Sequence, residues 1–505
     1  MIYYVYRRPI RSTLPLPPGP KKLPFIGNIF DLPPDSMWET YTAWGREFDS
    51  DIIHLSLGGQ SVVVLSSSTA TDDLLEKRSA IYSDRPTLPM YVDIVGWDFN
   101  FGKRIEDPYR ERRAHRRLFS QVFNSVGSKR FRPKQLAATR RMLCRFLATP
   151  NEFREHVRQM AGELLINIAY GIDVLPVDDP YVALAEEGIQ ADSDAAMPGK
   201  FLVDSFPILR YVPSWFPGAG FKRQANEWRK IAHAVRDVPF AESKRLVESG
   251  AATQSLTTDC LQHLNEHGQA YYDEDTIKAT AATMYLAGSD TVVSVLTSFI
   301  LAMLANPAAQ KKARMEIDSV TGGTRLPDFE DEESLPYTAA IVKEVLRLQP
   351  VTPIGVPHFL GVEDEYRGYR LPANSIVIGN VWAILHDEDM YPDPYSFKPE
   401  RFLLDGKPNP HVKDPQATFG FGRRICPGQF IGASSVFISV ASILASFDIA
   451  KAIGDDGAPI EPTYKYSTGI IRTPLRFKCS IRPRSQSAVA VIEGEDHYGP
   501  SKASN

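Results

Sequence analysis

A single cysteine set in a glycine-rich turn constrains this chain more than any other feature. Residues 419–428 read FGFGRRICPG, and the 19 residues that follow Gly428 carry no charge. Pro427 is suited to the first position of a helix, so the sequence places Cys426 at a helix N-terminus. There the free N–H groups and the helix dipole favour a thiolate. Gly420, Gly422 and Gly428 allow backbone to approach a flat partner closely. Phe419 can cover the sulfur, and Arg424 can reach an anion beside that partner. Cys144 and Cys479, in contrast, read as small buried hydrophobes. Four cysteines in 505 residues are too few for a disulfide scaffold.

The rest of the chain reads as mostly helix with a minor sheet. Residues 276–304 form one long apolar-periodic run behind three acids, Asp273, Glu274 and Asp275, and Asn306-Pro307 ends it. Helices are also expected over 308–320 and 337–348. Strands are expected over 52–65 and 375–382, and where Leu475, Phe477, Cys479 and Ile481 alternate with polar residues. The charge-free stretches 291–310 and 429–447 are rich in Ser, Thr and Ala, which suits helices buried in a large core better than membrane spans. With 57 Lys+Arg against 61 Asp+Glu, the net charge of −4 offers no global reason to expect a nucleic-acid partner. No sequence repeat and no domain boundary is evident between about 30 and 485.

A lone thiolate with close backbone and a cationic neighbour suits the axial ligand of haem iron. Zinc would want further Cys or His ligands at short spacing. The decapeptide resembles the cysteine-ligand loop of the cytochrome P450 family, with Phe419, Gly422, Arg424, Cys426 and Gly428 on that family's pattern. Gly432 departs from it, standing where many members have alanine. The resemblance extends over essentially the whole chain and is nearest to fungal, membrane-anchored enzymes of secondary metabolism. It implies a mostly α fold with a minor β-sheet, organised as a single large haem domain over residues 29–485. Cys426 would be the metal ligand.

Other motifs gain meaning from that resemblance. Glu344 and Arg347 form E-x-x-R, a spacing common on helix surfaces, and with the PERF segment at 399–402 they resemble the family's Glu–Arg–Arg lock beneath the haem. Residues 287–291, AGSDT, lie midway along the long helix. The plain explanation is close helix packing at Gly288 with polar Asp290 and Thr291 outward. The family explanation is an oxygen-binding groove, in which Gly288 makes room over the iron while Asp290 and Thr291 manage protons. In the basic stretch 110–117, Arg116 fits a haem-propionate contact, whereas Arg112 replaces the family's tryptophan. Arg113 and Arg117 read either as a docking patch for an acidic flavoprotein reductase or as an ordinary solvated face. His358 reads either as a propionate partner or as a packing residue.

At the N-terminus, six apolar residues followed by Arg7, Arg8 and Arg11 look like the cytosolic end of a membrane anchor, too short to cross a bilayer. The alternative for 1–13 is plain disorder. Residues 14–28 form a proline-rich hinge, and 486–505 read as a disordered tail. The implied setting is the cytosolic face of the endoplasmic reticulum membrane, with contact to the membrane surface. The substrate is expected to meet Met90, Tyr91, Val92, Trp97, Phe99, Phe101, Phe201, Met284, Val351, Ile354, Ile470 and Ile471, a lining for a medium-sized apolar or aromatic molecule. Three functions remain open from sequence. The first is a monooxygenase using O2 and electrons from NADPH through a flavin-containing NADPH–cytochrome reductase. The second is a haem-thiolate isomerase or lyase, disfavoured by Asp290 and Thr291. The third is a non-catalytic haem-binding protein.

Overall fold

The computed structural model describes residues 13–33, 35–102, 110–197, 200–267 and 272–494. In chain order the helices are α1 (Met37–Glu47), α2 (Ser68–Thr71), α3 (Ser79–Tyr82), α4 (Arg110–Phe123), α5 (Arg132–Ala148), α6 (Phe153–Tyr170), α7 (Pro180–Ala195) and α8 (Leu202–Ser205). They continue with α9 (Gly220–Glu248), α10 (Leu256–His267), α11 (Glu274–Ala305), α12 (Pro307–Thr321), α13 (Pro336–Leu348), α14 (Val381–Leu385), α15 (Gln429–Ser446) and α16 (Gln486–Gly494). The strands are β1 (Ile52–Leu57), β2 (Gln60–Leu65), β3 (His358–Leu360), β4 (Asp364–Tyr366), β5 (Tyr369–Leu371), β6 (Ser375–Gly379), β7 (Leu403–Leu404), β8 (Lys407–Pro408), β9 (Phe447–Lys451) and β10 (Cys479–Pro483). The mostly helical class with small sheets is as the sequence predicts.

Packing groups the chain into two compact units that interleave along the sequence. One takes the described residues up to 86 with 354–384 and 421–423; the other takes 87–353, 385–420 and the described residues from 424. Neither unit is contiguous, so no linker-like stretch marks a boundary.

The first unit is built on a four-stranded sheet in the order β1-β2-β6-β3. β1 and β2 form an antiparallel hairpin, β6 runs parallel to β2, and β3 returns antiparallel to β6. One face packs Ile52, Val63, Leu65 and Val377 with Leu74, Leu75 and Tyr82; the other packs Ile53, Leu55, Val62, Val64 and Ile378 with Tyr41. That is the alternation expected of a sheet covered on both sides. The proline-rich stretch is docked rather than free: the Pro18 carbonyl accepts from His54 N (2.9 Å) and Asn28 N donates to the Ser56 carbonyl (2.6 Å).

The second unit is the helical body around α11. The Asp273 side chain caps that helix by accepting from Thr276 N at 2.8 Å. Two helices, α11 and α15, are long and apolar enough to cross a membrane. With 72% and 67% of their apolar windows buried, both serve as core helices, as their Ser- and Thr-rich composition predicts. Three expectations change. Trp382 falls in α14, because β6 ends at Gly379 and the Asn380 side chain accepts from Ala383 N to start a turn. Only 479–483 of the alternating C-terminal stretch is strand, where it pairs with β9. Residues 486–494 form a helix with Ile492 buried, so the disordered tail expected from 486 is corrected there. The rest of that tail, and the expected anchor stump at the N-terminus, lie outside the described residues.

Candidate functional site

The site is assembled on a charged frame in the second unit. Glu344 and Arg347, both completely buried, pair along α13 through Arg347 Nε to Oε2 (2.8 Å) and Nη2 to Oε1 (2.9 Å). Arg401 Nε reaches Glu344 Oε1 at 3.2 Å, and Lys398 N donates to the same oxygen at 2.8 Å. The remaining guanidinium donors go to backbone carbonyls: Arg347 to Leu385, and Arg401 to Pro392, Asp393 and Ser396. A buried ion pair is tolerated only when its remaining donors and acceptors are satisfied in this way. The frame pins residues 385–401 to α13.

Farther along the chain lies the cysteine turn. Cys426 N donates to the Phe419 carbonyl at 2.7 Å, closing the loop on itself. The helix that follows starts at Gln429 with Gly428 as its cap. Cys426 therefore stands two residues before the cap, and Pro427 is not the first helical residue as the sequence suggested; the intervening pair forms a turn. The sulfur still meets a helix entrance, since the Gly428 N–H hydrogen-bonds it. Burial pushes the thiol pKa up, while that N–H and the nearby Arg116 guanidinium pull it down. A side-chain carbon at Gly428 would stand in ordinary contact with the sulfur, at 3.9 Å.

Arg116, on α4, donates to the Ile425 carbonyl at 2.9 Å, next to the cysteine. Its neighbour His115 turns into the core, with Nδ1 2.7 Å from Thr280 Oγ1 and its ring stacked on Phe101. Arg117 is exposed. The side chains of Arg112 and Arg113 lie outside the described residues. Arg424 Nη1 donates to the Phe101 carbonyl at 3.2 Å, so it ties the cysteine turn to the 97–102 segment. Arg116, Arg424 and Cys426 are thus brought to one place.

Two expected cofactor residues belong to the first unit and have structural duties there. A side-chain carbon at Gly422, whose φ is +55°, would lie 2.0 Å from the Leu75 carbonyl oxygen; its glycine is required by packing. His358 is buried on β3, its Nδ1 2.7 Å from the Tyr82 carbonyl, a backbone contact that supports the packing reading.

The middle of α11 bears on the two readings of Gly288. A side-chain carbon at Gly288 would meet Leu165 Cδ1 of α6 at 2.7 Å. This glycine admits Leu165 of α6 on that side, which supports the close-packing reading. The open side of the helix is at Ala287, an exposed residue following a run buried from Ala279 to Leu286. Thr291, one turn on, shares that side, and its Oγ1 donates to the Ala287 (3.0 Å) and Gly288 (3.2 Å) carbonyls. Asp290 is partly buried. Desolvation raises its pKa, and Arg158 and then Arg154 oppose the rise. The sequence places Ala287 in the AGSDT motif without giving it a role; the pattern of burial along α11 singles it out.

Several expected lining residues are core. Met90, Tyr91 and Trp97 have essentially no accessible surface, because Tyr91 hydrogen-bonds Asp192 and stacks with Trp97. Phe99, Phe101, Met284 and Val351 are also buried. Val92, Phe201, Ile470 and Ile471 are half-buried and keep surface to offer a ligand. Ile354 falls in the first unit.

The donor set suits a particular kind of metal. Among the described residues, no three His, Cys, Asp or Glu side chains cluster to hold a bare ion. Cys426, a half-buried residue, therefore suits a metal that arrives with its other ligands, as haem iron does. The comparisons agree. A family model for cytochrome P450 matches residues 17–481. The chain is 45% identical to cytochrome P450 monooxygenase 98 of Postia placenta, over 97% of this chain and 94% of that protein. It is 44% identical to cytochrome P450 monooxygenase ple1 of Rhodocybe pseudopiperita, over 94% and 91%. It is 40% identical to tryptamine 4-monooxygenase of Psilocybe cyanescens, over 98% and 97%. A lone thiol at a helix entrance, a Glu–Arg–Arg frame and full-length likeness to monooxygenases establish that this chain belongs to the cytochrome P450 family, as a monooxygenase.

Proposed function

We propose that Cys426 is the axial thiolate ligand of the haem iron and that the enzyme inserts one oxygen atom of O2 into a medium-sized apolar or aromatic molecule. Electrons come from NADPH through a flavin-containing reductase, and the setting is fungal secondary metabolism. Bound haem supplies the reducible iron that activates O2. Arg116 and Arg424, beside the cysteine, suit its propionate charges, and Phe419 closes the loop over the sulfur. Asp290 carries protons into the groove. The Thr291 hydroxyl, beside Ala287 and Gly288, would hold a water that receives these protons and would so limit wasteful release of hydrogen peroxide.

The observation that carries this reading is the open turn of α11, where Ala287 and Thr291 share one side with Asp290 adjacent. An isomerase or lyase needs no proton delivery to dioxygen and has no use for the pair. The half-buried apolar residues Val92, Phe201, Ile470 and Ile471 support an apolar substrate, and the relative named for tryptamine supports the aromatic end of that range. Contact with a membrane surface is supported by Leu202, Phe206, Ile208, Tyr211 and Trp215, each at least 60% exposed within fourteen residues. Exposed Arg117 supports the docking of an acidic reductase.

The test is a reconstitution with reductase and NADPH against a library of apolar and aromatic metabolites, after screening for spin-state shifts. Substrate-dependent NADPH consumption with a product one oxygen heavier is expected. Turnover without reductase or NADPH would instead support the isomerase or lyase.

A further inference from the structure

Beyond Thr291, the same side of α11 carries Ser294 and then Ser298. Ser294 is closed off, because its hydroxyl donates to the Arg472 carbonyl at 2.5 Å. Past that contact lies a cavity of about 110 Å³. Its wall on α11 is Ser298, Leu301, Ala302 and Ala305, whose spacing puts them on one helix face. Leu348 and Gln349 line it from the end of α13, and Phe397 and Tyr466 from the loops beyond. The space exists because Ala302 and Ala305 are short where a larger side chain would fill it.

None of the lining side chains is charged, so the cavity suits a neutral occupant. Its walls are mostly hydrocarbon and aromatic ring, yet Ser298 is 2% exposed and its hydroxyl is buried without a hydrogen bond of normal geometry. Burial raises the Tyr466 pKa and Ser298 opposes the rise, which makes the two hydroxyls neighbours. Buried hydroxyls are ordinarily paired. Water alone suits the space poorly, because each molecule needs several polar partners and takes up only about 30 Å³. A single ring suits it better: benzene occupies an apolar cavity of about 150 Å³, and this one is bordered by the exposed residues Ala305 and Tyr464.

We propose that this cavity is a second ligand site, which takes a neutral single-ring phenol and steadies the hairpin that carries Ile470 and Ile471. The ring lies among Leu301, Leu348 and Phe397, and the ligand hydroxyl joins those of Ser298 and Tyr466. Arg472 links the site to the hairpin. Its guanidinium lies over the Tyr466 ring, 4.3 Å from the centre, and donates to Gln349 Oε1. Its backbone N–H donates to the Val351 carbonyl at 2.8 Å. Ser467 N donates to the Thr473 carbonyl at 2.8 Å, and Thr473 N to Ser467 Oγ at 3.0 Å. These bonds close the turn that presents Ile470 and Ile471. A ligand against Tyr466 therefore bears on residues offered to the substrate, with Arg472 as the wall between the two sites. The site stands apart from the roles proposed for Cys426, Asp290 and Thr291.

The probe is 4-fluorophenol, titrated into the full-length holoprotein and followed by fluorine NMR. Saturable binding is expected. Ala302→Leu fills the cavity and should abolish it. Ser298→Ala removes one hydroxyl and should weaken it roughly tenfold, the worth of one hydrogen bond; this variant keeps the test open if Ala302→Leu fails to fold. No saturable binding, or undiminished binding in either folded variant, overturns the site, and the second result would place the probe elsewhere, such as the groove beside Thr291. Fluorobenzene should bind more weakly than 4-fluorophenol, and equal affinity overturns the phenol class. Hydrogen exchange reads the hairpin. The Ser467 and Thr473 amides should exchange severalfold more slowly with the probe bound, and no more slowly when it is added to Ala302→Leu. Unchanged exchange at saturation overturns the steadying of the hairpin.

Discussion

Two sets of acids and arginines in the same helical body are built to opposite specifications. In the frame of Glu344, Arg347 and Arg401, both glutamate oxygens are engaged by arginine, and spare donors end on carbonyls. Around Asp290 the arginines act at a distance and the carboxylate has no fixed donor among the described residues. A fully satisfied charge has one low-energy arrangement and serves as scaffold. An under-satisfied one stands close to exchanging its proton, which is what a relay requires.

The comparison can be broken most sharply at Cys426, the proposed metal ligand. Cys426→His should abolish turnover and the red-shifted Soret band of the reduced carbonyl complex, both read from one preparation. A retained band would remove Cys426 from its role. Next in size are the frame variants. Glu344→Ala leaves two buried guanidinium groups unpaired and should cost about 3–5 kcal/mol in denaturant unfolding. The spectrum should be lost with the fold.

Variants at the relay should do the reverse and spare the carbonyl spectrum. Asp290→Asn should slow turnover roughly 100-fold by removing a proton carrier. Thr291→Ala should lower product per NADPH and raise peroxide, with unchanged coupling counting against the groove. Stability gives an independent sign. Because burial raises the Asp290 pKa above its unfolded value, its ionised form opposes folding at neutral pH. That penalty fades as pH falls through the folded pKa toward the unfolded value of about 4. Asp290→Asn should therefore melt higher than the unmodified protein at pH 7, with the gain gone below about pH 4. An equal melting temperature at pH 7 would erase the difference drawn between the two sets.

The smallest effect expected is at Gly288. Alanine gains about 1 kcal/mol in helix propensity but forces Leu165 aside at a cost of about 1–3 kcal/mol. A slight net destabilisation is expected, relieved when Leu165→Ala is added and read from a double-mutant cycle. Loss of oxygen coupling without loss of stability would return Gly288 to the open side of the helix.

Much of this was legible in the residues themselves. The boundaries of α11, α12 and α13 fall within two residues of expectation, because caps and prolines act locally. Cys426 stood out because its neighbours alone distinguish it from a buried hydrophobe. The assignments that moved are those in which a residue type serves two purposes. Gly288 and Gly422 fit a ligand-facing turn by type, yet their missing side chains make room for Leu165 and the Leu75 carbonyl. Met90, Tyr91 and Trp97 are apolar, which suits a pocket and a core equally, and the tertiary structure made them core.

The sequence by itself determined the helical class and marked the cysteine loop and the Asp290–Thr291 pair as candidates, since each rests on contacts between residues close along the chain or on one short motif. Only the tertiary structure decided that Ala287 is the open turn of α11, that packing groups the chain into units that interleave along the sequence, and that the arginines acting on Asp290 come from α6. Those facts depend on which helix faces lie against each other. Spacing places residues on one side of a helix, but what that side meets is settled by burial of the whole core.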